Sequence, residues 1–142
     1  HVPFLYNYVG KAWRTQELVT GLVRSEFGAG PAGLPGNDDA GSTSAWYLFG
    51  AMGFYPVAPA SGRYQLTSPI FDRVVLRLDE VHHGGEAFVI DAVDRTDTNI
   101  YIQSATLNGE PHNHTWLAHE EMVRGGTLLL QMGPEPSEWP SP

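Results

Sequence analysis

The spacing of apolar residues changes once along the chain, near Pro59, and this change divides the sequence into two parts. In the first part, apolar residues recur with the 3.6-residue period of an amphipathic helix. They form one stripe, which consists of Leu18, Val19, Leu22, Val23 and Phe27. Thr15 can cap the start of such a helix, and Gly28 can end it. The pattern therefore predicts a helix over residues 15–27. The aromatic-rich residues 1–14 before it are either a loop or the end of a helix.

A second helix is predicted over residues 41–52, after a loop rich in glycine and proline that spans residues 28–41. Its apolar stripe consists of Ala45, Trp46, Phe49 and Met52. Either Asp38 or Asp39 can cap its first turn, because the free N–H groups at a helix start attract carboxylates. Gly53 is placed to end this helix.

After Ser61 the apolar period becomes two, which is typical of β-strands with one buried face. Clusters of Gly, Asp, Asn and Pro separate six short apolar runs, at residues 64–67, 74–78, 87–90, 100–102, 115–117 and 128–130. The pattern predicts an antiparallel sheet or a small sandwich over residues 62–135. The predicted fold class is α+β, with helices in residues 1–58 and strands in residues 62–142.

Charge and composition exclude several classes of function. The chain has 16 acidic and 8 basic residues, a net charge of −8, and Lys11 as its only lysine. Binding of nucleic acid or of an anionic membrane surface is excluded, since both need clustered Lys and Arg. No apolar run approaches the ~20 residues of a membrane span, and a chain without cysteine forms no disulfide. His1 opens the chain in place of methionine, so we expect a processed or excised piece.

The loop before the second predicted helix carries the candidate chemistry. Asn37, Asp38 and Asp39 are consecutive and lie in a glycine-rich segment. A carboxylate at this place could serve as a general base or as a ligand of a hard cation. Capping of the following helix is the alternative explanation, and spacing alone leaves both open.

The histidines and aromatic residues give weaker signals. No histidine pair has the i, i+4 helical spacing of a zinc site, so His82, His83, His112 and His114 are expected on surface turns. Trp46 lies on the apolar stripe of the second helix, which favours packing in the core. Stacking on a sugar ring is the rival explanation for the aromatic residues off that stripe, and spacing alone leaves the choice open.

Residues 33–47, GLPGNDDAGSTSAWY, continue into residues 53–57, GFYPV, and together they resemble the signature of glycoside hydrolase family 92. This family consists of calcium-dependent inverting α-mannosidases. Further matches lie on both sides of the motif, at residues 4–8, 13–16, 68–71, 101–109 and 131–134. The resemblance covers most of the chain and favours a functional interpretation of the acidic loop.

The resemblance implies a larger parent protein, in which an N-terminal β-sandwich packs on an (α/α)₆ barrel and a strand-rich segment follows. Residues 1–58 would form the last helices of the barrel with the acidic loop, and residues 62–142 the C-terminal β-sandwich-like segment. The implied partners are the rest of the parent chain and a mannose-containing glycan. The expected location is secreted, periplasmic or at the cell surface.

The resemblance also implies roles for single residues. Asp39 is the first choice for the general base and Asp38 the second, while the general acid would lie outside this chain. Asp39 is also an expected ligand of Ca²⁺, the implied cofactor. His1, Asn37 and Trp46 are expected to contact the substrate, in which the cleaved bond would be α-mannosidic and of the α-1,2 type.

Three hypotheses of different class follow. In the first, the chain is the C-terminal catalytic segment of an α-mannosidase and is inactive when isolated, because the general acid is missing. In the second, it is a non-catalytic carbohydrate-binding β-sandwich module, and in the third it is a purely structural tail. The helical part and its acidic loop favour the enzyme, since a binding sandwich needs neither.

Overall fold

A computed structural model describes residues 1–79 and 81–140. Its helical segments are a 3₁₀ helix over Val2–Val9, α1 (Ala12–Ser25), α2 (Ser42–Met52), a 3₁₀ turn over Pro59–Ser61, and α3 (His119–Val123). Its strands are β1 (Phe54–Tyr55), β2 (Arg63–Leu66), β3 (Arg73–Arg77), β4 (Ala87–Val93), β5 (Tyr101–Leu107), β6 (Glu110–Pro111), β7 (Trp116–Ala118) and β8 (Gly126–Gly133). Within the described residues, no helix has the length and apolarity needed to cross a membrane.

Both helices predicted from the apolar period are confirmed, as α1 and α2. Helix α1 begins three residues before the predicted start and ends at Ser25, two residues early. The aromatic stretch before it is largely a 3₁₀ helix, in which Phe4 and Asn7 are buried. A 3₁₀ helix has three residues per turn, so these two side chains lie on the same side of it.

The two helices pack closely against each other. Gly50 of α2 is buried, and a Cβ atom at this position would lie 3.3 Å from methyl carbons of both Val19 and Val23 on α1. Phe4 and Ala51 complete this small apolar cluster, against which Trp46, Tyr47, Tyr55, Val57 and Ile70 pack. The close approach fixes the position of α2 and therefore of the loop that precedes it.

The six predicted strands are all present, and the α+β fold class is confirmed. The strands form a five-stranded sheet in the order β3-β4-β8-β5-β6 and a three-stranded sheet in the order β1-β2-β7. The predicted antiparallel arrangement is wrong for one pair of strands. Strands β4 and β8 pair in parallel, with Ile90 opposite Leu128, while all other described pairs are antiparallel. Strand β8 lies between β4 and β5. Because β5 runs opposite to β4 and β8 pairs antiparallel with β5, β8 has the same direction as β4.

One apolar core joins the sheets to the helical part. Along β4 and β8, alternate residues are buried; they are Phe88, Ile90 and Ala92, with Leu128, Leu130 and Met132. Ala12 of α1 and Phe54 of β1 belong to the same buried cluster. The predicted segments 1–58 and 62–142 therefore share a core. Ser141 and Pro142, with which the second segment ends, lie outside the described residues, as does Glu80 within it.

Two buried amide side chains also connect the helical part to the strands. Asn7 Nδ2 donates to Gln65 Oε1 at 3.1 Å and to the carbonyl oxygen of Leu66 at 3.0 Å. Gln16 Oε1, on α1, accepts a hydrogen bond of 2.9 Å from the backbone N–H of Ile102 on β5. Buried polar groups cost free energy when unpaired, so these bonds specify how the helices sit on the sheets.

Candidate active site

The loop between α1 and α2 ends in a strained backbone conformation. Asp39, Ala40 and Gly41 have φ angles of 48°, 61° and 88°. This left-handed conformation suits glycine and is tolerated by Asp, but it costs a residue such as alanine about 1–2 kcal/mol. Ala40 can hold it only where the surrounding structure fixes the chain, and strain of this kind clusters at functional sites.

Asp38 is half-buried and tied to the start of α2. Its Oδ1 accepts a hydrogen bond from the backbone N–H of Ser44, and its Oδ2 accepts one from Ser44 Oγ; each is 2.8 Å long. Ser44 is the third residue of α2, so the first bond satisfies one of the free N–H groups at the helix start. Of the two predicted caps, Asp38 is the one that binds the helix.

Asp39 has different surroundings although it is the next residue. It is exposed, and among residues 1–79 and 81–140 its carboxylate has no hydrogen-bond or ion-pair partner. An unpaired carboxylate on a constrained backbone can accept a proton from water or bind a cation. The structure thus separates two carboxylates that residue type and spacing alone leave equivalent.

The first turn of α2 also holds the backbone on the N-terminal side of Asp39. Thr43 Oγ1 donates to the carbonyl oxygen of Asn37 at 3.0 Å, and the backbone N–H of Thr43 donates to the carbonyl oxygen of Asp38 at 3.1 Å. The side chain of Asn37 is exposed. Residues 37–38 are therefore anchored to the helix through backbone and side-chain atoms.

A cavity of about 410 Å³ lies beside the start of α2. Its lining includes His1 and Trp46, two of the predicted substrate-contact residues, together with Thr43. Residues 37–39 do not line it. The structure thus brings His1 and Trp46 to one cavity and places the acidic residues next to it rather than in its wall.

Trp46 is half-buried in an aromatic cluster. Its ring stacks on Phe27, with centroids 5.9 Å apart, and meets the ring of Phe4 edge-on at 6.4 Å. These contacts join α2 to the end of α1 and to the N-terminal 3₁₀ helix. They agree with the core-packing alternative for Trp46, while its contribution to the cavity wall leaves part of the side chain accessible.

The described residues do not form a metal site on their own. Among the described residues, no group of three or more His, Asp or Glu side chains is placed to hold a metal ion. Calcium takes 6–8 oxygen ligands, which include carboxylates, carbonyl groups and waters. The free carboxylate of Asp39 suits one of these positions, and no two further acidic or histidine side chains of the described residues are placed to join it.

The histidine expectation needs one correction. His112 is buried rather than on the surface, with 6% of its area exposed, and its Nε2 forms a hydrogen bond of 2.9 Å with the carbonyl oxygen of Trp116, which satisfies this ring atom away from water. Burial lowers the pKa of His112 below its usual range, and the nearby His114 acts in the same direction. The bond to Trp116 and the carboxylate of Glu121 oppose this effect without cancelling it.

Ser44 is the site residue that sequence reasoning missed. Both of its hydrogen bonds go to Asp38, six positions earlier in the chain. A polar residue at the third position of a helix is a known capping signal, usually Glu or Gln paired with the N-cap. In this protein the two residue types are exchanged: the serine is on the helix and the carboxylate is in the loop before it. A search for the usual capping pattern therefore does not find the pair.

The comparisons with known proteins place this chain among the glycosidases. The profile of the Glycosyl hydrolase family 92 catalytic domain matches residues 1–134. The chain belongs to glycoside hydrolase family 92, which confirms the resemblance found in the sequence.

Three relatives show how much of such a protein the chain represents. An uncharacterized secreted glycosidase of Arthroderma benhamiae is 34% identical over 138 residues, which are 96% of this chain and 17% of that protein. A family 92 α-mannosidase of Bacteroides thetaiotaomicron, whose structure is known in complex with mannoimidazole, is 33% identical in sequence to this chain. The two structures have a TM-score of 0.89, and the match covers 97% of this chain and 18% of that one. An inverting family 92 mannosidase from the same organism, strain VPI-5482, is 40% identical, with a TM-score of 0.88 and the same coverage. The chain spans less than a fifth of these relatives.

Proposed function

We propose that this chain forms the end of the catalytic domain of a larger inverting α-mannosidase, which cleaves α-1,2-linked mannose from glycans. The observation that carries the proposal is the free carboxylate of Asp39 on a constrained loop, in a chain that matches the family over residues 1–134. Support also comes from the relatives, one of which is described as an α-mannosidase bound to mannoimidazole and another as an inverting mannosidase.

Asp39 is the proposed general base. An inverting glycosidase needs one carboxylic acid to protonate the leaving oxygen and one carboxylate to activate a water on the opposite face of the sugar. Asp39 can take that proton because its oxygens are unpaired among the described residues, whereas both oxygens of Asp38 are already bonded to Ser44. The general acid comes from the rest of the parent chain.

Calcium is the proposed cofactor, with Asp39 as one ligand. The fit is partial, since the described residues offer no cluster of three acidic or histidine side chains. A bound Ca²⁺ supplies a positive charge that can engage sugar hydroxyls and favour a distorted ring. This chain would contribute the carboxylate of Asp39 to the proposed calcium site.

His1, Asn37 and Trp46 are the proposed substrate contacts of this chain. His1 and Trp46 share a cavity wall, and Asn37 is exposed one residue before the anchored Asp38. A secreted, periplasmic or cell-surface location is proposed as well, because the relative from Arthroderma benhamiae is described as secreted.

The test is turnover of an aryl α-mannoside by the full-length protein, followed by proton NMR of the first sugar released. Inversion gives β-mannose first, and an aryl α-glucoside serves as the control substrate. Release of α-mannose first would contradict inversion. Binding of mannose glycans without any turnover would instead favour the carbohydrate-binding module.

A further inference from the structure

We propose that Ser44 and Asp38 form a positioning pair that holds the carboxylate of Asp39 in place for proton abstraction. The inference rests on the proposed function, since it concerns the same loop and the same base. In this proposal Asp38 positions Asp39 rather than acting as a second base. Ser44, which the sequence analysis assigned no role, becomes part of the site.

The pair fixes one end of the strained segment. Asp38 is bound to Ser44 through both carboxylate oxygens, and its carbonyl oxygen accepts a bond from the N–H of Thr43. The other end is fixed at Gly41, whose carbonyl oxygen accepts the first helical hydrogen bond of α2, 2.9 Å from the N–H of Ala45. Between these two fixed points lie Asp39 and Ala40.

With both ends held, the segment has little freedom to relax. Asp39 and Ala40 have φ angles of 48° and 61°, and this conformation costs Ala40 free energy, so that residue leaves it when the chain is released. Ser44 therefore acts on Asp39 at a distance, through Asp38 and the backbone. Its hydroxyl and N–H need not touch the substrate.

The catalytic consequence follows from geometry. A catalytic group displaced by about 1 Å can lose about 10²-fold in rate even when the change is remote from the chemistry. Loss of the Ser44 hydroxyl removes one of the two bonds to Asp38 and leaves the carboxylate of Asp39 intact. The effect is therefore expected in kcat, while substrate binding is largely retained.

The experiment is steady-state kinetics of the full-length enzyme on an aryl α-mannoside. Ser44→Ala is expected to lower kcat about 10- to 100-fold with KM changed by less than about threefold. Ser44→Thr keeps both donors and is expected to restore most of kcat. The double variant Asp38→Ala with Ser44→Ala should be no slower than Asp38→Ala alone, because the two residues act as one unit.

The control variant is Ser25→Ala, at the end of α1. Ser25 Oγ also donates to a carboxylate, that of Glu26, at 2.9 Å, but it makes no described hydrogen bond to the acidic loop. It is expected to keep the wild-type kcat. Circular dichroism should show every variant folded.

The two proposals fail in different ways. If Asp39→Ala is inactive but Ser44→Ala keeps the wild-type kcat, the positioning pair is wrong and the proposed base stands. A Ser44→Thr variant as slow as Ser44→Ala, or additive losses in the double variant, would also overturn the pair. If Asp39→Ala remains active, the proposed base itself is wrong.

Discussion

At the scale of single residues, burial makes His112 sensitive to pH. Its pKa is lowered in the folded protein, chiefly by burial, from an ordinary value near 6.5. The unfolded chain therefore takes up this proton first as the pH falls. The contribution of neutral His112 to the stability of the folded protein is fully present above about pH 6.5. It is lost as the pH falls toward the lowered pKa of the folded state.

We expect His112→Gln to reduce the loss of thermal stability between about pH 7.5 and about pH 5. The glutamine amide can still donate to the carbonyl oxygen of Trp116 but does not titrate in this range. Thermal unfolding at both pH values measures the effect, with exposed His82→Gln as the matched control. An unchanged difference between the two pH values in His112→Gln would contradict the assignment.

Residue type and spacing located the acidic loop but did not distinguish its two aspartates, and only the family resemblance ranked Asp39 ahead of Asp38 as the base. Asp38 and Asp39 have the same chemistry and adjacent positions, so either was a possible cap or base. The distinction depends on the left-handed backbone of residues 39–41 and on the position of Ser44. Both are consequences of how the loop meets α2, which no local pattern of residue types encodes.

At the scale of helices and strands, long segments with a clear period were predicted well. Helices α1 and α2 and the six longer strands follow from the apolar spacing. Four short elements were missed: β1 and β6 have two residues each, the 3₁₀ turn over Pro59–Ser61 has three, and α3 has five. Segments of this length are too short to show a period. The parallel pairing of β4 with β8 could not be predicted from the apolar spacing either. It arises because β8, which comes late in the chain, lies between β4 and β5 in the sheet.

The buried amide of Gln16 gives a prediction at the same scale. Gln16→Leu removes the acceptor of the Ile102 N–H and leaves this donor unpaired inside the protein. We expect the free energy of unfolding to fall by about 1–3 kcal/mol. Urea unfolding measures it, and hydrogen exchange at the Ile102 amide should accelerate.

Gln103→Leu is the control for this prediction, because Gln103 is exposed and its carbonyl partners can bond to water instead. Its effect should stay within about 0.5 kcal/mol. Equal losses in the two variants would show that the Gln16 bond has no special role between α1 and β5.

At the scale of the whole molecule, the chain is expected to lack mannosidase activity when produced alone. It spans 17–18% of its relatives, and the proposed general acid and most proposed calcium ligands are contributed by other segments. General acid catalysis alone contributes about 10²–10⁴-fold. An assay with an aryl α-mannoside at equal molar amounts of chain and full-length enzyme tests this. Turnover by the isolated chain at a rate close to that of the full-length enzyme would contradict it.

The most direct test of the account is the Asp39→Ala variant of the full-length enzyme, assayed with an aryl α-mannoside in the presence and absence of azide. Without azide, kcat should fall by about 10²–10⁴-fold, because alanine cannot take the proton of the attacking water. Azide needs no base, so it should restore departure of the aryl group and give β-mannosyl azide, the inverted product. Asp38→Ala should show no such rescue. An Asp39→Ala variant that keeps more than about a tenth of the wild-type kcat would contradict the assignment of Asp39 as the base.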